Sequence, residues 1–264
     1  MTTLPIKEKM KRGEFVVGPF MKSRDPAMVE IVGLAGFDFA ILDMEHSALS
    51  IESVEDLIRM AEVRGIDSIV RVPEISESAI SGPLDAGASG ILVPHVDTKK
   101  QAEEVVFLSK FSPLGERGMD VYARAADYSH LPKEIYLKET NKRTLLIVQI
   151  EGKKGVENLD DILLVKGLDT IFVGPYDLSQ SLGVPGEIDH PRVTKKIKEV
   201  VGKVRKAGLS LGIYVDDVET AKKWIDLGVQ FIAILVDAVI FFQACRSLVA
   251  PLRKQIRGIR GHNT

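Results

Sequence analysis

The chain has 264 residues, 45% of them hydrophobic, with 35 Lys+Arg against 37 Asp+Glu. That composition is globular, and the near-neutral charge supplies no basic face for nucleic acid or an anionic membrane. The lone Cys245 excludes an intrachain disulfide framework, the N-terminus lacks a signal peptide's apolar core, and no run reaches the roughly 18 apolar residues of a membrane span, so a cytoplasmic protein is expected.

Taken in order, apolar runs of strand length fall at residues 15–20, 38–43, 67–72, 89–94, 144–151, 169–175, 209–215 and 229–235. They are continuously apolar rather than alternating, as in parallel strands covered on both faces. Between them lie segments patterned as helices: 26–35, 51–64, 76–86, 99–109, 193–207 and 218–227. Gly36, Gly65, Gly87, Gly208 and Gly228 stand where helices would stop. Eight such units predict a single α/β domain over 1–264, a (β/α)8 TIM barrel. A doubly wound open sheet is the alternative, but no G-x-G-x-x-G turn follows the first strand.

Residues 111–143 form a connection longer than the pattern needs, carrying Arg117, Tyr122, Arg124, Tyr128 and His130. An ordered functional loop is expected there, followed by a short helix near 132–139. The neighbours of Cys245 (Phe241, Phe242, Leu248, Val249) mark a helix face and predict a buried thiol. The basic tail from Arg253 is expected to be frayed.

In such barrels chemistry sits at the C-terminal ends of the strands. Strand two ends Asp43-Met44-Glu45-His46, strand four Pro94-His95, strand five Gln149-Ile150-Glu151, and strand six Gly174-Pro175-Tyr176-Asp177. Strands seven and eight end in Asp216-Asp217 and Asp237. Glu151 and Asp177 lie 26 residues apart (151 to 177), about one strand–helix unit, which puts them at the same ends of neighbouring strands. Singly, each reads as a helix N-terminus carboxylate. Together they suit a hard divalent cation, which prefers oxygen ligands. Arg71 sits inside an apolar strand, where an unpaired guanidinium is costly, and so points to a site rather than a structural ion pair. None of the eight strand runs contains a lysine for Schiff-base chemistry. His46 alone reads more readily as a structural histidine; with the metal seat and Arg71 it suits enolate chemistry.

At these residues the sequence resembles a known family. ILDMEHS, IVRVP, ILVPHV, ERG…ARA, VQIE and FVGPYDLSQSLG are similar to motifs of the HpcH/HpaI metal-dependent pyruvate aldolases, over about residues 18–244. The resemblance implies a barrel of the phosphoenolpyruvate/pyruvate type and cleavage of 4-hydroxy-2-oxo acids to pyruvate and an aldehyde. It implies Mg2+, Mn2+ or Co2+ on Glu151 and Asp177, with Gln149, Gly174 and Pro175 around the bound 2-oxo acid. Arg71 would meet the enolate oxygen, and His46 held by Asp43 would be the proton-transfer dyad. It also implies a homo-hexamer, a trimer of dimers that exchange the last helix (about 238–252), with Arg124 reaching a neighbour's site. Relatives of the same fold use oxaloacetate or an acyl-CoA, as condensing enzymes or citryl-type lyases. A non-catalytic barrel binding a 2-oxo acid is the reading from another class.

Overall fold

The computed structural model describes residues 4–261, and side chains through Lys254. Eight strands close into a parallel barrel in sequence order: β1 (Val16–Met21), β2 (Phe39–Asp43), β3 (Asp67–Arg71), β4 (Gly90–Val93), β5 (Leu145–Ile150), β6 (Thr170–Val173), β7 (Ser210–Val215) and β8 (Phe231–Val236). The expected (β/α)8 barrel is therefore present. Apolar residues of both strand faces divide into two packed layers. The lumen is filled by Phe20, Phe39, Ile41, Ile69, Phe172 and Phe231, with Phe39 stacked on Phe231 at 4.1 Å and Phe172 edge-on to it. The other face packs against the outer helices in one continuous core. Gly212 is required inside the barrel, since a Cβ there would lie 2.8 Å from the Phe172 ring.

The first segment is a short helix, α1 (Ile6–Lys11), which inserts Ile6 and Met10 into the bottom of the lumen. The Ile6 N–H donates to Asp67 at 2.8 Å, and Lys7 pairs with Asp169 at 2.9 Å. These bonds seal the end opposite the strand C-termini. The outer helices follow: α2 (Pro26–Leu34), α3 (Ile51–Arg64), α4 (Glu77–Asp85) and α5 (Lys99–Ser109). The long connection contains a 3-10 helix (Arg124–Ser129) and then α6 (Lys133–Arg143), longer than the short helix expected. Next come α7 (Lys153–Glu157), α8 (Leu159–Ile162), α9 (Pro175–Ser181), α10 (Pro191–Lys206), α11 (Val218–Asp226) and α12 (Asp237–Gly261).

Two expectations are corrected in α12. The stretch from Arg253 continues the helix to Gly261 instead of fraying; the remainder of that tail lies outside the described residues. Cys245 is exposed, with Phe241, Phe242 and Leu248 beside it, because no element among the described residues covers this stretch of the helix. No described helix is long and apolar enough to cross a membrane.

Candidate active site

The register of β2 on β3 sets Asp43 opposite Arg71. Across that pair Arg71 donates from Nε to Asp43 Oδ1 at 2.9 Å and from Nη2 to Oδ2 at 2.8 Å. Its remaining nitrogen, Nη1, lies 3.2 Å from Glu45 Oε2, and its guanidinium lies over the Phe20 ring at 4.6 Å. This two-point fork holds a buried cation in a fixed plane. Burial pushes the Asp43 carboxyl up, but the Arg71 hydrogen bonds and charge outweigh it and hold it below its usual range.

Asp43 is thereby occupied. Its Oδ1 also accepts the backbone N–H groups of Glu45 and His46, each at 3.2 Å. The expected Asp43–His46 dyad is thus a main-chain contact: the imidazole itself is 57% exposed, with Nε2 3.7 Å from Glu45. Asp43 fixes the turn that carries His46 and leaves the ring free to face the mouth.

Glu151 follows the last residue of β5 and is buried. Its Oε1 accepts the His95 backbone N–H at 2.9 Å and lies 2.8 Å from His95 Nδ1; His95 Nε2 is 3.1 Å from Glu45. Its Oε2 accepts a bond from Gln149 Nε2. Burial pushes the Glu151 carboxyl up to about 7; His95 pulls against this, while Asp177 and Glu45 add to it. Asp177 lies in the first turn of α9, after the Gly174-Pro175 corner. Gly174 has to be glycine, because a Cβ there would stand 2.8 Å from both Gln149 Nε2 and Glu151 Oε2.

A cavity of about 210 Å³ opens at the C-terminal ends of the strands; Glu151, His95 and Glu45 are not among the residues that line it. Asp43, His46, Arg71, Gln149, the Gly174-Pro175 corner and Asp177 line it, with Phe20, Lys22, Phe172, Tyr176, Tyr214 and Val236. A larger, shallow hollow of about 510 Å³ beside α10 contains none of them. Arg124 is also elsewhere: it bonds to Glu62 of α3 and to the Ala86 carbonyl at 2.9 Å. Lys22, His95, Tyr176 and Tyr214 were given no role from sequence. Tyr176 donates to Asp216 at 2.6 Å, and that bond pushes its pKa up to about 12.

The donor set fits a hard cation. Two carboxylates crowd each other at the rim, and Gln149 Oε1 is buried with no hydrogen-bond partner among the described residues. A bound cation would remove the penalty on ionised Glu151. No group of three or more His, Cys, Asp or Glu that could hold a metal ion is present among the described residues.

The family model described as HpcH/HpaI aldolase/citrate lyase matches residues 17–244. The 2-keto-3-deoxy-L-rhamnonate aldolase of Escherichia coli O17:K52:H18 (strain UMN026 / ExPEC) is 34% identical over 261 residues, 98% of this chain and 97% of that protein. Among solved structures, citrate synthase SbnG has a TM-score of 0.88 at 32% identity, over 96% of this chain and 99% of that one. The HpcH/HpaI aldolase from Desulfitobacterium hafniense DCB-2 has a TM-score of 0.90 at 29% identity, covering 95% and 97%. A closed barrel carrying these motifs at its rim, matched along nearly its whole length, belongs to the HpcH/HpaI aldolase/citrate lyase family.

Proposed function

We propose that the chain is a metal-dependent aldolase that reversibly cleaves a 4-hydroxy-2-oxo acid, such as a 2-keto-3-deoxy sugar acid, to pyruvate and an aldehyde. The observation that carries this reading is the Arg71–Asp43 fork lining one cavity with Gln149 and Asp177, with Glu151 bonded to that same Gln149. Glu151 and Asp177 would hold Mg2+, Mn2+ or Co2+, which when bound supplies polarisation of the 2-oxo group. Gln149 and the Gly174-Pro175 corner seat the 2-oxo acid.

A guanidinium has five N–H donors. Arg71 gives two to Asp43 and sets Nη1 3.2 Å from Glu45, which leaves N–H groups on Nη1 and Nη2 for negative charge developing on the C2 oxygen. His46 takes the proton of the 4-hydroxyl. The C3–C4 bond then breaks, its electron pair enters the C2–C3 enolate, and the aldehyde departs. A proton delivered to C3 gives pyruvate.

The assembly belongs to this reading too: a cytoplasmic homo-hexamer, a trimer of dimers with the 238–252 segment exchanged between subunits and Arg124 serving a neighbour's site. Support comes from α12, whose Phe241 and Phe242 are 65% and 60% exposed. Sedimentation of the Phe241→Glu/Phe242→Glu variant should give a smaller species.

The deciding experiment assays pyruvate release from a panel of 2-keto-3-deoxy sugar acids and shorter 4-hydroxy-2-oxo acids, with and without EDTA. The similarity to citrate synthase SbnG favours one rival, condensation of oxaloacetate with an acyl-CoA. Citrate formation without pyruvate release would select that rival. Binding of pyruvate with neither reaction would select a non-catalytic barrel.

A further inference from the structure

Four formally charged residues line the mouth cavity: Lys22, Asp43, Arg71 and Asp177. Three are accounted for, since Asp43 and Arg71 neutralise one another and Asp177 stands with Glu151 as the cation seat. Lys22 is left over. Its Nζ lies 3.8 Å from Asp43 Oδ2, beyond hydrogen-bond distance, and that carboxylate already receives four N–H groups. The side chain is 38% exposed, so it is neither buried in a structural pair nor fully in water.

The position is built. Buried Asp237, at the end of β8, accepts the backbone N–H of Lys22 at 3.1 Å, of Ser23 at 2.8 Å and of Ala238 at 2.7 Å. Two of these N–H groups belong to the turn after β1, so the carboxylate ties that turn to the start of α12. Below it Phe20 packs against Phe172 and Tyr214, with ring centroids 6.3 and 5.9 Å away, which gives the lysine an aromatic floor. The strand order sets β1 and β8 across the barrel from β4 and β5, where His95 and Glu151 stand. Lys22 therefore lines the mouth from the wall opposite those strand ends, with the long Asp43 contact as its ionic partner among the described residues.

We propose that Lys22 is a specificity-determining residue that receives a carboxylate at the end of the substrate remote from its 2-oxo acid. The preferred aldehyde partner is then an acidic one. This rests on the aldolase reading. A neutral aldehyde leaves the ammonium to water alone, whereas a carboxylate forms a charge-assisted bond above an apolar floor. Such a bond corresponds to about 10- to 100-fold in kcat/KM.

The test runs in the condensation direction, with pyruvate, Mg2+ and two matched pairs of aldehydes: glyoxylate against glycolaldehyde, and succinic semialdehyde against butanal. The unmodified enzyme should prefer the acidic member of at least one pair. Lys22→Met should lower that acidic-to-neutral ratio by about 10- to 100-fold, chiefly through KM, and Lys22→Arg should keep most of it. A preference for the neutral member of both pairs overturns the assignment. So does a Lys22→Met variant that loses both members of a pair equally, because that is the result of a structural role. Exchange of pyruvate methyl protons with solvent, and decarboxylation of oxaloacetate, report separately on enolate formation. If the unmodified enzyme does neither and condenses no aldehyde, the aldolase reading falls and this inference with it. If exchange occurs and the ratio does not move, Lys22 alone is misassigned.

Discussion

His95 and Glu151 are joined twice. The His95 backbone N–H donates to Glu151 Oε1 at 2.9 Å, and Nδ1 of the same histidine lies 2.8 Å from the same oxygen. His95 takes φ 56° in making both contacts, a left-handed backbone that non-glycine residues enter only at a cost. Through Nε2 it reaches Glu45, and Glu45 reaches Arg71. One continuous set of contacts thus links the proposed oxyanion donor to the proposed metal ligand.

Removing the imidazole should loosen Glu151 without touching its backbone bond. Partners of this kind typically account for 10- to 100-fold in metal affinity. His95→Ala should therefore weaken Mn2+ binding by about that factor in calorimetry, while the variant remains folded. Unchanged affinity would remove His95 from this role.

Activity should vanish with EDTA and return with Mg2+, Mn2+ or Co2+. Glu151→Ala and Asp177→Ala should each abolish turnover through lost metal binding. Borohydride with pyruvate makes the sharper control, because Lys22 stands at the mouth. Mass spectrometry should find no pyruvyl-lysine; such an adduct would assign the chemistry to a Schiff base.

Arg71 and His46 should fail differently. Arg71→Ala should slow every reaction that passes through the enolate by about 10²–10³-fold, oxaloacetate decarboxylation included. Lysine should rescue it poorly, lacking the planar fork. His46→Ala should cost the aldol steps about 10²–10⁴-fold and spare decarboxylation, which has no hydroxyl to deprotonate. Equal losses of decarboxylation in the two variants would show that the roles are not separable.

Asp43→Asn should destabilise the fold by about 3–5 kcal/mol at neutral pH, the usual cost of removing one partner from a buried pair. Asp43 has its carboxyl held below the ordinary value of 3.8 in the fold. Its contribution is therefore complete above that value and is lost as pH falls through the lowered one. Urea titrations of both proteins should show their stability gap closing in acid. A gap independent of pH would mean that Asp43 acts by packing, not charge.

The barrel was legible because its strands are continuous apolar runs and the rim carboxylates end two of them. Partner choice was not. Asp43 looked like the orienter of His46, three residues on, yet register hands it to Arg71, 28 positions away, and register is a property of two strands together. Nothing in the sequence marks Lys22, because it falls one residue past the end of β1, in a turn that Asp237 shapes from the other end of the chain. Ile6 and Met10 share a helix face, but only the open bottom of the lumen makes that face a plug. Cys245 shows the same limit from the other side: periodicity marks an apolar helix face and says nothing of what covers it.

The seam between β1 and β8 has a consequence during synthesis. Asp237 holds a turn made 215 residues earlier, and β1 gains its second neighbour only when Phe231–Val236 has emerged. At ~5–20 residues per second, β1 waits about 10–40 s on the ribosome with one row of backbone donors and acceptors open. For that interval the nascent chain carries an unpaired strand edge, the feature that invites pairing with a foreign strand. A message cut short before residue 237 would release chains with that edge permanently open and with the turn at Lys22 unclamped. Such fragments should be captured by chaperones or aggregate, whereas completion of the last strand closes the barrel and shapes its mouth in a single event.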